Sequence, residues 1–189
     1  MIRFATLADV PAMLDIYAPY VQNTAVSFEY SVPTMQEFSA RFESITIQFP
    51  WLVWEEDGKI FGYAYAAAPF ERAAFSWCAE PSIYLSSEAQ RKGIGRKLYD
   101  ALEQILTRQG YRVLYAIITT SNTPSLNFHK ALGYRHLADF PDCGFKLSCW
   151  QGITWLEKRL NPLAHPQEFP ISIVKLRELY LNLTNFLDK

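Results

Sequence analysis

Neither sign of charge dominates this 189-residue chain: 18 Lys and Arg stand against 19 Asp and Glu, leaving a net charge of −1. A protein this close to neutral has no global field to gather nucleic acid or an acidic membrane, so neither is expected as a partner. Cysteine is scarce too. Cys78, Cys143 and Cys149 form an odd count without CxxC spacing, which argues against a disulfide framework and for free thiols in a reduced compartment. They are expected to be buried packing residues, not nucleophiles. No His/Cys/Asp cluster has ligand spacing, so no metal is expected. No apolar stretch reaches membrane-spanning length, and the opening "MIRFATLADV" lacks the apolar run of a signal peptide. A cytoplasmic chain is the expectation. Internal repeats and low-complexity segments are also missing.

What is abundant is apolar and aromatic. Half the residues are hydrophobic, with 5 Trp, 11 Tyr and 13 Phe, enough for one domain with a sizeable packed core. "IRFA" reads as a first strand. Asp9 is placed to cap a helix whose apolar face is Val10, Met13, Leu14, Tyr17 and Val21, and Pro19 should bend or end it. Thr34 and Glu37 have capping-box spacing ahead of a helix through Phe38 and Phe42. Asp57-Gly58 between "WLVWEE" and "KIFGYAYAAA" is a two-residue hairpin turn. "FERAAFSWCAEPSIYL" reads as a strand that Pro81 should bulge or leave at an edge.

Next comes a helix with Ile94, Leu98, Ala101, Leu102 and Ile105 inward, Arg96, Lys97, Asp100, Glu103 and Arg108 outward, and Gly110 as its stop. "RVLYAIIT" is the near-continuous apolar run of a strand covered on both faces. Thr123 then caps a helix that has Pro124 at its first position, and "CWQGITWLEKRL" supplies a late strand. Strand, helix, helix, hairpin and strand, helix, strand, helix, strand is a mixed α/β order.

The most pointed local signal is "QRKGIG", from Gln90 to Gly95, between a strand and a helix. A Walker loop is ruled out because this loop holds no Gly-Lys pair, and a dinucleotide fingerprint because Leu98 stands where a third glycine belongs. Two glycines nevertheless let a backbone wrap closely round an anion at a helix start, with Arg91, Lys92 and Arg96 adding charge. An ordinary strand-to-helix turn with a solvated basic face is the competing account, and the loop alone does not separate the two.

Its context does. The Q/R-x-x-G-x-G/A spacing resembles the coenzyme A site of the GNAT N-acetyltransferases, and "NTPSLNFHKALGY" resembles a second segment of that superfamily. "VSFEYSVPTMQEFSARF", "FPWLVWEEDGKIFGYAYAAAPF", "ERAAFSWCAEPSIYL" and "GFKLSCWQGITWLEKRL" are similar to its phosphinothricin acetyltransferase branch, in the same order over roughly residues 1 to 160. The resemblance implies an α/β (α+β) GNAT fold: a central mixed, mostly antiparallel, splayed sheet flanked by helices. It also implies acetyl-CoA as acyl donor, a small-molecule amine as acceptor, and a homodimer.

Residue by residue, the resemblance makes Glu80 the general base that takes the amine's proton, and His129 the acid that protonates the departing thiolate. It gives the cofactor loop to Arg91, Lys92, Gly93, Ile94, Gly95 and Arg96. The backbone of Ile83, Tyr84 and Leu85 would bind pantetheine and polarise the thioester, with Pro81 removing one amide from that edge. Asn122 and Ser125 would also meet the cofactor. Arg72, Phe28, Glu29 and Phe75 fall on the acceptor side, Phe75 standing where the branch usually has tyrosine.

These assignments imply an N-acetyltransferase for the α-amine of a small amino acid or analogue, of the phosphinothricin, methionine sulfoximine or methionine sulfone type, by direct transfer. Two alternatives stay open: another amine, on a peptide or polyamine, or a CoA-binding module with little catalysis. Residues 1–160 are expected to form the GNAT domain, and 161–189 a linker with Pro162, Pro166 and Pro170 followed by a helix. That helix carries Ile173, Leu176, Leu179, Tyr180, Leu183 and Phe186 on or near one face, expected to pack on the domain or on a second subunit.

Overall fold

The computed structural model describes residues 1–162 and 168–179. Within them the strands are β1 (Ile2–Phe4), β2 (Trp51–Glu56), β3 (Lys59–Ala67), β4 (Cys78–Leu85), β5 (Val113–Thr119), β6 (Arg135–Lys146) and β7 (Cys149–Arg159). The helices are α1 (Val10–Asn23), α2 (Met35–Thr46), α3 (Ile94–Gln109), α4 (Thr123–Ala131) and α5 (Ile173–Leu179). One seven-stranded sheet has the order β1-β2-β3-β4-β5-β7-β6. Every neighbouring pair is antiparallel except β4 and β5, which run parallel. This is the mixed, mostly antiparallel α/β architecture expected. No helix among the described residues is long and apolar enough to cross a membrane.

Alternation along the strands divides the core in two. Leu52, Ala64, Ala66, Ala79, Leu114 and Ala116 turn to one face, under Leu98, Leu102 and Ile105 of α3. Trp51, Val53 and Tyr63 turn to the other, under Met13 and Tyr17 of α1 and Phe38 and Phe42 of α2. Small alanines on the α3 side let that helix approach closely, and rings fill the opposite layer.

The local signals that act through backbone chemistry held. Asp57 and Gly58 both take positive φ (50° and 76°), the type I′ geometry that joins β2 to β3. The Thr34 N–H donates to Glu37 Oε2 at 2.7 Å while Glu37 N–H donates to Thr34 Oγ1 at 3.2 Å, the reciprocal capping box. Gly110 closes α3 at φ 99°.

Others were overruled by tertiary contacts. Asp9 makes no side-chain cap to α1; it accepts two bonds from Arg3, both 2.7 Å, and one from Thr6 N–H at 2.7 Å. Pro19 neither ends nor excludes α1, which continues to Asn23. Pro19 is exposed, as is Asp15 one turn before it, so the carbonyl left without a donor can face water. Asn122, not Thr123, caps α4, its Oδ1 accepting from Ser125 N–H at 3.3 Å. Glu103 is not outward: it is buried and pairs with Lys158 of β7. Cys143 and Cys149 are exposed, not buried, and Cys78 is half-buried. The strand β6 was not anticipated. It holds Pro141 and Gly144 and shifts register against β7 at His136/Ala138 and Phe140/Gly144, so no alternation survives in its sequence.

The segment after β7 is tied to the domain. Phe169 stacks on Trp77 at 4.8 Å, Ile171 N–H donates to Gln109 O at 2.9 Å, and Ile173 N–H to Gln48 O at 3.0 Å. Ile173 and Leu176 are buried in the α3-side core, while Leu179 is exposed. Pro166, Tyr180, Leu183 and Phe186 lie outside the described residues. Leu176→Ala is expected to lower unfolding free energy by about 2–5 kcal/mol, the range for a buried leucine. A denaturant titration showing a loss below about 0.5 kcal/mol, the scale of surface substitutions, would mean that α5 adds nothing to the fold.

Candidate active site

The site begins where the sheet comes apart. β4 pairs with β5 only at Cys78↔Val113 and Ala79↔Leu114, while its pairing with β3 runs on to Leu85. From Pro81 onward, the edge of β4 that would face β5 has no strand opposite it. Backbone groups alternate along a strand, which identifies the residues on that edge. Ser86 N–H donates to Phe61 O on β3, whereas Pro81 O and Leu85 O accept from Tyr99 and Tyr20 on the other side. Pro81, Ile83 and Leu85 therefore present their backbone to the cleft, and Ser82 and Tyr84 present theirs to β3. Of the three residues named from the sequence, Tyr84 is thus turned away through its main chain. Its side chain instead packs edge-on to Tyr17, with ring centroids 4.8 Å apart. Pro81 carries no N–H, so Ile83 supplies the first amide on the open edge.

The glycine loop lies at the mouth of this cleft. Arg91 and Gly93 take left-handed φ of 62° and 78°, curling the loop into α3. Lys97 N–H is the first to find a helical acceptor, Gly93 O at 3.2 Å, so the amides of Ile94, Gly95 and Arg96 remain for a ligand. A Cβ on Gly95 would stand 3.4 Å from both Ile83 Cδ1 and Leu85 Cδ1, in contact with the side chains of that strand. Arg91, Lys92 and Arg96 are exposed around the loop. Bare amides, positive φ and three cations suit a pyrophosphate. These residues fit the group that the sequence implied.

Deeper in, the cleft is lined by Pro81 to Tyr84, Ala116 to Thr119, Asn122, Ser125, Tyr99 and His129. Asn122 and Ser125 are joined to each other by the α4 cap. His129 is buried, and both its ring nitrogens have protein partners: Nδ1 lies 2.8 Å from Ser125 O, and Nε2 2.9 Å from Tyr99 Oη. Burial holds its pKa below the usual 6.5.

Glu80 sits on the opposite face of β4, beside Tyr65, and pairs in register with Ala67 at the end of β3. Burial raises its carboxyl from 4.5 to about 7. Glu80 and His129, both named through the resemblance, come to the split from different elements, one on each side of the sheet.

Phe28 and Glu29, which the resemblance put on the acceptor side, are set by a wall the sequence reading missed. The loop after α1 is held by Lys146 Nζ donating to Ser27 O and by Thr119 Oγ1 donating to Ala25 O. Phe28 lies over Gly144, where a Cβ would fall 2.3 Å from the ring. Glu29 pairs with Arg41 of α2 at 2.7 Å. Arg72 and Phe75 sit apart from this pair, on the short turn before β4, where both are exposed and Phe75 leans on Phe70 with centroids 4.5 Å apart. Tyr99, Arg41, Gly144 and Lys146 carried no sequence signal beyond Tyr99, a hydroxyl on the inward stripe of α3.

The Glu80 environment has a thermodynamic signature. Between its unfolded value near 4.5 and its folded value of about 7, the folded protein keeps a proton that the unfolded chain releases. Stability from this group therefore falls as pH rises through that window, by about 3 kcal/mol at full ionisation. Glu80→Gln cannot ionise, so it should gain stability relative to the wild type between about pH 5 and pH 8 in paired denaturation curves. A difference independent of pH would mean that the carboxyl is not held in this way.

Comparison with known proteins agrees with this geometry. Residues 2–155 match the family described as Acetyltransferase (GNAT) domain. The chain is 34% identical to phosphinothricin N-acetyltransferase of Streptomyces viridochromogenes, over 88% of this chain and 91% of that one. It is 32% identical to the L-methionine sulfoximine/L-methionine sulfone acetyltransferase of Salmonella typhimurium, over 87% and 97%. A GNAT superfamily phosphinothricin acetyltransferase from Sinorhizobium meliloti, solved in complex with AcCoA, superposes with a TM-score of 0.85 at 34% identity, over 89% and 93%. A splayed β4–β5 pair, a glycine loop opening α3 and this breadth of similarity lead to one assignment: the chain belongs to the GNAT family of N-acetyltransferases.

Proposed function

We propose that this N-acetyltransferase takes acetyl-CoA as acyl donor. Its acceptor is the α-amine of a small amino acid or analogue of the phosphinothricin, methionine sulfoximine or methionine sulfone type. The observation that carries the reading is Glu80, a carboxyl raised by burial to about 7 at the split of the sheet. An α-ammonium must lose a proton before its nitrogen can attack a thioester, and a base titrating near neutrality suits that task.

In this reading the amides of Ile94, Gly95 and Arg96, with Arg91 and Lys92 around them, hold the pyrophosphate. Asn122, Ser125 and the cleft edge of β4 hold the pantetheine arm. The Ile83 N–H meets the thioester oxygen, since Pro81 has no N–H to offer, and stabilises the charge that grows there on attack. Glu80 takes the amine's proton from the other face, and His129 is the source of the proton that the thiolate receives. Transfer is direct, in a ternary complex. Arg72 pairs with the acceptor's acid group as a charged fork, and Phe28, Glu29 and Phe75 border the acceptor.

We further propose a homodimer in the cytoplasm. Leu137, Phe140, Phe145, Leu147 and Trp150 leave apolar side chains exposed along β6 and its hairpin, an apolar surface suited to a second copy. The free thiols Cys143 and Cys149 are exposed, which suits a reducing compartment.

Release of CoA measured over a panel of amines tests the substrate class. Free amino acids and their sulfoximine, sulfone and phosphinate analogues should react, whereas polyamines reacting alone would overturn the assignment. Glu80→Gln should lower kcat by roughly 100-fold or more, with acetyl-CoA binding little changed and partial rescue at high pH, where solvent deprotonates the amine. A wild-type rate and pH profile in that variant would remove Glu80 from the mechanism. Arg72→Ala should raise KM for the amino acid while leaving that for acetyl-CoA nearly intact. Equal loss of both would assign Arg72 a structural part.

A further inference from the structure

Three polar atoms at the floor of the cleft form a chain whose hydrogens can be counted. Ser125 O can only accept, so His129 Nδ1, 2.8 Å away, carries a hydrogen. In a neutral ring Nε2 is then bare, and the single hydroxyl hydrogen of Tyr99 goes to it across 2.9 Å. That leaves Pro81 O, 3.3 Å from Tyr99 Oη, without this donor. All three contacts hold a hydrogen only when His129 is an imidazolium: Nε2–H then donates to Oη, and Oη–H turns to Pro81 O. The network thus has two arrangements that differ by one proton and one hydroxyl rotation.

The second arrangement aims a hydrogen at the edge of the split. Pro81 O lies on the side of β4 from which β5 has separated, and Tyr99 lines the cleft beside it. Nδ1 is committed to Ser125 O, with Ser125 Oγ farther off at 3.4 Å, so the shorter path for a proton leaving the ring toward the cleft runs from Nε2 through Tyr99 Oη at 2.9 Å.

We propose that Tyr99 is a further catalytic residue, the carrier that hands the departing thiolate its proton and draws the replacement from His129. The inference rests on the acetyl-transfer reading above. As the carbon–sulfur bond breaks, its electron pair goes to sulfur. Sulfur takes the Tyr99 hydroxyl hydrogen, Tyr99 Oη takes the Nε2 hydrogen of the imidazolium, and His129 is left neutral with Nδ1–H still on Ser125 O, to be recharged from solvent. A phenolate never accumulates. That suits a phenol whose pKa burial holds well above 10, beside Glu103 of the same helix, Glu80 of β4 and Tyr65 of β3. The imidazole faces the Tyr134 ring, 5.1 Å away, over which Lys158 of β7 lies at 5.6 Å.

Two measurements test this. The chain has 3 His, so nitrogen-15 NMR of the full-length protein can identify the His129 tautomer; Nδ1–H is expected at pH 8, and an Nε2–H tautomer would overturn the relay. Tyr99→Phe keeps the ring but removes the hydroxyl. Its kcat should fall about 10- to 100-fold, with KM for both substrates within about twofold, and the decline of kcat at high pH should flatten because the His129 charge no longer matters. Adding His129→Gln to it should cost no more than about twofold further. A wild-type kcat in Tyr99→Phe, or a lowered one with the wild-type pH profile, would overturn the proposal and leave the acetyl-transfer reading standing. A wild-type protein that acetylates no amine in the panel would instead bring down that reading, and the relay with it.

Discussion

A parallel pair that holds for two residues and then opens is the constraint on which the remaining features depend. An unpaired backbone edge inside a protein costs roughly 1–3 kcal/mol for each buried group left unsatisfied, so it persists only where other partners stand in. Here they are visible. Tyr20 donates to Leu85 O, replacing a donor that β5 would have offered, and Tyr99 Oη stands 3.3 Å from Pro81 O, able to donate to it whenever its hydrogen is not on His129. Proline at position 81 removes an amide that would otherwise have no acceptor there. What remains on the edge is chiefly N–H, at Ile83 and Leu85, and that is the polarity an anionic transition state needs. A proline that weakens a strand as a strand is, at this point, consistent with a strand edge meant to bind something else.

Burial then sets the chemistry on either side. The same exclusion of water pushes the Glu80 carboxyl up to about 7 and holds the His129 imidazole below 6.5. Burial disfavours the charged form of each, so the Glu80 carboxylate is a stronger base and the His129 imidazolium a stronger acid than either would be in water. The sheet keeps them apart: Glu80 lies on the aromatic face with Tyr65, and His129 lies under α3 with Tyr99. Two titratable groups on opposite faces of an opened sheet can serve opposite ends of one transfer without neutralising each other.

How much of this could be read from residues alone follows from the range of the forces involved. The glycine loop, the Asp57-Gly58 turn and the Thr34–Glu37 box are decided within a few residues, and each appears in the fold where spacing put it. Asp9 and Glu103 have cap-like and outward positions on their helices, yet partners distant in the chain claim them: Arg3 bridges Asp9 to Glu55 of β2, and Lys158 takes Glu103. The strand β6 escaped notice because two register shifts erase its alternation and its mostly exposed side chains leave no apolar face to read. Glu80 and His129 were legible only through resemblance, since a carboxylate in a strand and a histidine on a helix have no local mark of function. Tyr99 was passed over because an inward tyrosine on an amphipathic helix looks like core, and it is fully buried; only the partners of its hydroxyl, His129 and Pro81 O, set it apart.

The acceptor wall shows the same division between local identity and distant control. Phe28 and Glu29 were recognisable, but what fixes them comes from the opposite end of the sheet. Lys146, itself buried, binds Ser27 O; Gly144 leaves the space that Phe28 fills; and Tyr30 Oη reaches Phe145 O. The β6–β7 hairpin therefore shapes a loop more than a hundred residues earlier in the chain. Its irregularity is part of how it does so: the bulge between Phe140 and Gly144 lets one strand turn its tip across the sheet edge toward that loop. On the far side of the same loop, Glu29 is held by Arg41 rather than left free, with Tyr17 hydrogen-bonded to Ser27 at 2.6 Å beneath it. Phe28 and Glu29 therefore stand in a preformed, charge-balanced wall, whereas Arg72 and Phe75, on the turn before β4, are exposed and lie outside it.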